Sequence, residues 1–173
     1  MSRSDDDLKD NAVHPLARGA LATRALSRLR NALGEAGRIL DDDQVADQVR
    51  RVAIASDFAI DTLVRQPALL SKLIADHGAS AVQPPLLHPS VRSDCPALLR
   101  RYRVAESTRL IWRDVLGLDG VDDTLAGSTR LAERCLETAL EALEAEFVQR
   151  HGVVRDREGR ERRLVVFGLG KLG

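Results

Sequence analysis

Residues 97–116, ALLRRYRVAESTRLIWRDVL, have the periodicity of a long amphipathic helix. On a helical wheel of about 100° per residue, their apolar side chains gather on one face. That face consists of Leu98, Tyr102, Ala105, Trp112 and Leu116. Arg109 lies among them, so its guanidinium must reach solvent or pair with a carboxylate, and Glu106 is within helical reach. We predict this helix, capped by Asp94 and ended by Gly117, with Arg109 either extended to solvent or paired with Glu106.

The same apolar spacing predicts four further helices, over residues 15–33, 41–66, 67–76 and 124–150. The acidic run 41–43 supplies the N-cap and first-turn charge of the second helix, and the residue before Pro67 ends it. Gly78 closes the third helix.

The apolar stripe of the second helix is Val45, Val49, Val52, Ile54, Phe58, Ile60 and Leu63. The stripe of the last helix is Leu125, Leu131, Cys135, Leu136, Ala139, Leu143 and Phe147. Residues 79–96 contain four prolines and no helical period, which predicts an extended connector.

The composition excludes several classes of protein. The chain has 173 residues, and its 26 Lys and Arg balance 26 Asp and Glu, which disfavours a general nucleic-acid binder. With 44% hydrophobic and 30% charged residues, it has the composition of a globular domain with an aliphatic core. No apolar run is long enough to span a membrane, and the N-terminus lacks the apolar region of a signal peptide. We expect a cytoplasmic protein without nucleic-acid or membrane partners.

No motif in the helical part has the spacing of a metal or nucleophile site. Cys95 and Cys135 stand far apart without neighbouring histidines, which indicates buried free thiols. The acidic runs 41–43 and 119–123 are explained as helix caps and turns, because the second lacks the spacing of a calcium loop. The basic run 100–103 resembles a phosphate-contacting patch, but a solvated helix face explains it as well.

The chain changes character at its C-terminal end. A charged turn, residues 155–163, leads to Leu164-Val165-Val166-Phe167, which has the composition of a β-strand. The segment that follows, GLGKLG at 168–173, fits the pattern G-x-G-x-x-G. A dinucleotide-binding unit needs a further helix, a second strand and an acidic residue, none of which follows. A single strand also needs partner strands, so we expect a chain truncated at its C-terminus.

At this segment the sequence resembles a known family, the bifunctional glutamine synthetase adenylyltransferase/adenylyl-removing enzymes. LVVFGLGKLG resembles the start of the family's nucleotidyltransferase module. Residues 56–58 with 65–70 are similar to its "SDF…RxPxLL" segment, and residues 99–103 with 111–116 to its "LRRFR…WRDLLG" helix. Residues 124–132 resemble the helix that follows. The resemblance therefore extends from about residue 50 to the end of the chain.

The resemblance implies a mainly α fold, in which a bundle of long helices leads into the first strand and glycine turn of a truncated α+β nucleotidyltransferase domain. The chain divides accordingly into a polar tail (1–14), a helical region (15–153) and the start of that domain (154–173). By this resemblance it is the leading piece of the adenylyl-removing half, which uses phosphate to remove AMP from a glutamine synthetase tyrosine and releases ADP. The other half transfers AMP from ATP to that tyrosine, and the signalling protein PII and glutamine bias the two activities.

The resemblance also implies which residues face the nucleotide. Gly168, Gly170 and Gly173 let backbone N–H groups approach phosphate oxygens, and Lys171 adds a positive charge. The family's Asp-x-Asp pair, which holds Mg²⁺, is expected after residue 173. No catalytic or metal-binding residue is therefore assigned within the chain, and we expect the chain by itself to be inactive.

Two other functions stay open at this point. A helical interaction module would dock a protein partner on its aliphatic faces and add its terminal strand to a partner sheet. A Rossmann oxidoreductase would need the missing βαβ unit. Arg100, Arg103 and Arg109 are further candidates for contacting substrate or the missing domain.

Overall fold

The structure is a computed structural model that describes residues 15–87 and 93–166. The chain forms two compact units, Met1–Leu70 and Ser71–Gly173. The helices are α1 (Pro15–Leu33), α2 (Asp43–Ala55), α3 (Asp57–Arg65), α4 (Pro67–Ala75), α5 (Cys95–Leu116) and α6 (Val121–His151), with a 3₁₀ helix (Gly34–Asp41) between α1 and α2. The expected mainly helical architecture is therefore confirmed for the described residues.

In the first unit, the predicted helix 41–66 is wrong as a single element. It is divided into the end of the 3₁₀ helix, α2 and α3. Ser56 has an extended backbone (φ −156°, ψ 104°), and its hydroxyl accepts a hydrogen bond from the Ala59 N–H at 3.2 Å. This serine therefore ends α2 and caps α3. Because the chain turns there, Ile54 and Phe58 are 45% and 46% exposed, against the prediction that they join the buried stripe.

The start of α2 agrees with the sequence. The Asp42 carboxylate accepts hydrogen bonds from the backbone N–H groups of Gln44 (2.8 Å) and Val45 (3.1 Å), which makes Asp42 the N-cap. The other predicted members of the stripe are buried. With α1 and α3 they form an aliphatic core that includes Ala22, Ala25, Leu29, Val45, Val49, Val52, Ala59, Ile60 and Leu63.

In the second unit, α5 ends as predicted, because Gly117 has a left-handed backbone (φ 72°). The helix begins two residues early, at Cys95, and the Asp94 carboxylate makes no capping hydrogen bond, contrary to the prediction. Helix α6 begins at Val121, three residues before the predicted start. The Asp123 carboxylate accepts a hydrogen bond from the Gly120 N–H at 3.2 Å, and this local cap explains the earlier start.

The core of the second unit lies between α5 and the first half of α6. Tyr102, Leu110 and Leu131 form it, and Val82 and Cys135 pack against it. The predicted stripe of α6 is only partly buried, because five of its members are not in this core. Four of these, Leu125, Leu136, Leu143 and Phe147, are 61%, 40%, 50% and 48% exposed. The thiols of Cys95 and Cys135 are only partly buried, which corrects the expectation of buried thiols.

After α6 the chain forms a short turn. Arg155 and Glu161 make one antiparallel β-bridge, and Gly159 has a left-handed backbone (φ 79°). Leu164, Val165 and Val166 have no regular secondary structure, and Phe167 and the glycine turn lie outside the described residues. The predicted strand therefore stays a prediction. In the part of the chain that the structure describes, no helix has the length and apolar character needed to cross a membrane.

Candidate functional site

The four residues that the sequence assigns to nucleotide binding, Gly168, Gly170, Lys171 and Gly173, lie outside the described residues, and their role stays a prediction. The described part of the chain instead contains a cluster of charged groups on one side of α5. Two arginines on successive turns of α5 are its centre.

Arg109 is buried with Glu106, which is one of the two alternatives that the sequence left open. Its Nε lies 3.0 and 2.9 Å from the two carboxylate oxygens of Glu106, and its Nη2 lies 2.6 Å from Oε1. The same guanidinium donates from Nη1 to the Gly78 carbonyl at 2.8 Å. Glu106 Oε2 also accepts a hydrogen bond from the Val82 N–H at 2.8 Å. The pair therefore joins α5 to both ends of residues 78–82.

Arg113, one turn further along α5, binds the same loop one residue earlier, at His77. It donates from Nη1 to the His77 carbonyl at 3.1 Å and from Nε to both carboxylate oxygens of Asp119, at 2.9 and 2.8 Å. His77 and Gly78 both have positive φ angles, 56° and 68°. This backbone conformation turns two successive carbonyls toward α5, where the two arginines bind them.

The sequence did not predict the Arg113–Asp119 pair or the two bound carbonyls. Arg109 and Arg113 are four residues apart, which places both on one helix face and was a signal for a shared role. Asp119, in the acidic run 119–123, was interpreted only as part of a turn. No sequence pattern indicated the left-handed conformation of His77, because residues other than glycine adopt a positive φ angle in only a few per cent of cases.

The geometry makes this cluster a structural clamp, because every strong donor that it contains is already used inside the protein. Arg109 is only 8% exposed and cannot reach a substrate, which corrects its listing among the candidates for substrate contact. Arg100 and Arg103 lie on the exposed face of α5, where they remain candidates.

Neighbouring charges and burial shift several pKa values in the second unit. The hydrogen bond from Arg113 lowers the pKa of Asp119 below its ordinary value of 3.8. Hydrogen bonds from Ser80 lower the pKa of Asp76, which closes the turn after α4. Burial raises the pKa values of Tyr102 and Cys135. None of these groups is poised to act as an acid or base near neutral pH.

The described residues offer no ligand set for a metal ion. Across 15–87 and 93–166, no three His, Cys, Asp or Glu side chains come together in a way that could hold a metal ion.

The first unit contains a shallow groove of about 300 Å³ between α1 and α3. Arg28 and Asp61, on its wall, form an ion pair at 2.6 Å, and both side chains are substantially exposed. The groove is open to solvent on one side, and this pair neutralises its central charges.

Comparison with known proteins gives a consistent result. Residues 46–173 match the family model described as glutamate-ammonia ligase adenylyltransferase. The chain is 55% identical over 159 residues to the bifunctional glutamine synthetase adenylyltransferase/adenylyl-removing enzyme of Stenotrophomonas maltophilia (strain K279a). It is 54% identical over 157 residues to the protein of that name in Xanthomonas oryzae pv. oryzae (strain MAFF 311018), and 30% identical over 161 residues to that in Shewanella loihica (strain ATCC BAA-1088 / PV-4).

The alignments cover nearly all of this chain but only a small part of each relative. The alignments cover 92%, 91% and 88% of this chain but only 16%, 16% and 17% of the respective relatives. No solved structure matches the chain. Because the family model matches well over half of the residues, the chain belongs to the glutamate-ammonia ligase adenylyltransferase family.

Proposed function

We propose that the chain is the leading helical part of an enzyme that adds AMP to glutamine synthetase and removes it. The observation that carries this proposal is the 55% identity over 92% of the chain to a relative named for both activities. A place in the adenylyl-removing half is part of this proposal. The cytoplasmic location expected from the sequence and regulation by PII belong to the same proposal.

The proposed reaction is phosphorolysis. An oxygen of inorganic phosphate attacks the phosphorus of the AMP group, and the bond from that phosphorus to the tyrosine oxygen breaks. The new bond makes ADP, and the tyrosine oxygen takes up a proton. Gly168, Gly170 and Gly173 would present backbone N–H groups to phosphate oxygens, and Lys171 would balance part of their charge.

The helical part supplies no reacting group under this proposal. Its clamp of Arg109 and Arg113 fixes the loop after α4 against α5, which gives the following domain a rigid support. On the family resemblance, the proposal places the Asp-x-Asp carboxylates that would hold Mg²⁺ after Gly173. There the ion would neutralise charge on the phosphates.

An assay on two polypeptides tests the proposal. The 173-residue chain and a version extended through the following domain are each incubated with adenylylated glutamine synthetase, phosphate and Mg²⁺, and ADP is measured. We expect ADP only from the extended version. ADP release by the 173-residue chain would show that catalytic groups lie within it, and its absence from both would contradict the proposed reaction.

A pair of lysine variants tests the glycine turn in the extended version. Lys171→Met should lower the rate of ADP release by roughly ten- to a hundredfold, because it removes a charge at the phosphates. Lys72→Met is the matched control, since Lys72 lies on the exposed surface of α4 and should leave the rate unchanged. Equal rates for the two variants would remove Lys171 from the site.

One observation favours the second candidate function, a helical interaction module. The second half of α6 exposes several large apolar side chains, each about half accessible to solvent. Under that alternative, the extended version would bind a protein partner and show no Mg²⁺-dependent affinity for ADP.

A further inference from the structure

The second half of α6 carries an apolar face that no described part of its own unit covers. The face consists of Leu136, Leu140, Leu143 and Phe147, which follow one another at spacings of four, three and four residues. These spacings place the four side chains in one line along the helix. Leu136, Leu143 and Phe147 are 40%, 50% and 48% exposed, and Leu140 is half-buried. We call this line the α6 apolar face.

A second exposed apolar segment begins beside this face. The Glu144 carboxylate accepts a hydrogen bond from the Leu164 N–H at 3.2 Å and pairs with Arg163 at 3.4 Å. From this anchor the chain continues through Leu164, Val165 and Val166, which are 66%, 66% and 47% exposed. The two apolar surfaces are thus joined at Glu144, whose neighbour in the sequence is Leu143.

We propose that the α6 apolar face is the docking surface for the domain that follows Val166 in the family polypeptide. Two observations support this occupant. The chain returns to α6 at Leu164, whose N–H binds the Glu144 carboxylate, so that whatever follows Val166 begins next to the face. The relatives also have about six times the length that this chain covers, since it aligns with only 16% of the first relative. The inference rests on the proposed function for the identity of that domain.

The charges beside the face argue against an antiparallel second copy of α6 as the occupant. Glu133, Glu137 and Glu144 lie along one edge of the face. In a two-fold contact between antiparallel copies of the helix, each edge meets its own counterpart, so that carboxylates would oppose carboxylates. An occupant from the same polypeptide avoids this repulsion, and its basic groups can meet the acidic edge as Arg163 already does.

Cysteine labelling in two polypeptides tests the proposal. Leu143→Cys is placed in the 173-residue chain and in the version extended through the following domain, and labelling by a water-soluble maleimide is followed peptide by peptide. We expect rapid labelling in the 173-residue chain and a rate lower by roughly tenfold or more in the extended version, because a covered thiol reacts slowly. Glu141→Cys, an exposed position on the other side of α6, is the control and should react equally in both.

Two outcomes would overturn the proposal. Equal labelling of Leu143→Cys in both polypeptides would mean that the following domain leaves the face open. Slow labelling in the 173-residue chain that becomes fast on dilution would mean that a second copy covers the face. Phe147→Cys repeats the test if Leu143→Cys fails to fold, as judged by circular dichroism. Protection without ADP release would keep the docking surface and contradict only the proposed reaction.

Discussion

Glu106 and Arg109 form a buried ion pair that also satisfies two backbone groups of the loop after α4. Their side chains are 7% and 10% exposed, and five of their hydrogen bonds are 3.0 Å or shorter. Desolvation opposes the burial of any charge, so the pair is stable only while each partner is present. The loop is therefore held by a contact in which neither residue can be replaced alone.

We expect Glu106→Ala to lower the free energy of unfolding by about 3 kcal/mol, because it leaves the Arg109 charge buried without a carboxylate. Arg109→Met should cost a similar amount. The double variant should cost less than the two single variants together, by about 1–3 kcal/mol, since it leaves no unpaired charge. Urea unfolding followed by circular dichroism measures all three.

An exposed pair with related spacing is the control. Arg134 and Glu137 are also three residues apart and lie 3.0 Å from each other, but their side chains are 65% and 57% exposed. Glu137→Ala should change the free energy of unfolding by less than about 0.5 kcal/mol, because solvent screens the pair. An equal cost for Glu106→Ala and Glu137→Ala would show that burial does not strengthen the Glu106–Arg109 contact.

Asp119 makes the free energy of unfolding of the second unit depend on pH in the acid range. Arg113 lowers the pKa of Asp119 below 3.8. The Asp119 carboxyl group therefore binds its proton more weakly in the folded state than in the unfolded state. The stabilisation from the pair is therefore complete above the ordinary pKa and is lost as the pH falls through the lowered value. Asp119→Asn should make the free energy of unfolding fall less steeply with decreasing pH below 3.8.

Urea titrations at several pH values between neutrality and strong acid measure this slope. Asp122→Asn is the matched control, because Asp122 lies in the same acidic run on an exposed position. The interpretation fails if both variants have the same slope as the unmodified chain.

At the scale of elements, the contact between α5 and α6 depends on Gly127. A Cβ atom at this position would lie 2.5 Å from Cδ2 of Leu110, a side chain only 6% exposed. Alanine is favoured over glycine within a helix by about 1 kcal/mol, but overpacking a core costs about 1–3 kcal/mol. We expect Gly127→Ala to destabilise the chain by about 1 kcal/mol, because the buried leucine has little room to move.

The sign of this effect should reverse when the leucine is shortened. In a Leu110→Ala background, Gly127→Ala should stabilise the chain, since only the helix preference remains. Thermal unfolding of the four variants gives the comparison. Stabilisation by Gly127→Ala in the unmodified background would show that α5 and α6 adjust without cost.

The elements also show which features the sequence predicts well. Helix ends at Asp42 and Gly117 were predicted, because capping and left-handed glycine depend on one residue and its near neighbours. The break at Ser56 was missed, since the apolar period continues across it and hides a serine that caps α3. The exposure of Leu143 was missed as well, because periodicity identifies an apolar face without telling what covers it.

At the scale of the whole molecule, the sequence predicted the family through segments distributed along the chain, and the comparisons confirm it. Within the clamp, only the pairing of Glu106 with Arg109 was among the predicted alternatives, because one helix brings the two together. Arg113 and the His77 carbonyl are 36 positions apart, and their contact depends on how the loop folds back. Long-range contacts of this kind are set by the tertiary structure and leave no local pattern.

The length of α6 has a mechanical consequence. From Gly127, which contacts Leu110 of α5, to the end of the helix at His151 there are 24 residues, a distance of about 36 Å. If the helix stays straight over that length, a tilt of about 5° at Gly127 moves its C-terminal end by about 3 Å. A small repacking against Leu110 is thereby converted into a displacement of Glu144 and of the segment at Leu164 that is hydrogen-bonded to it.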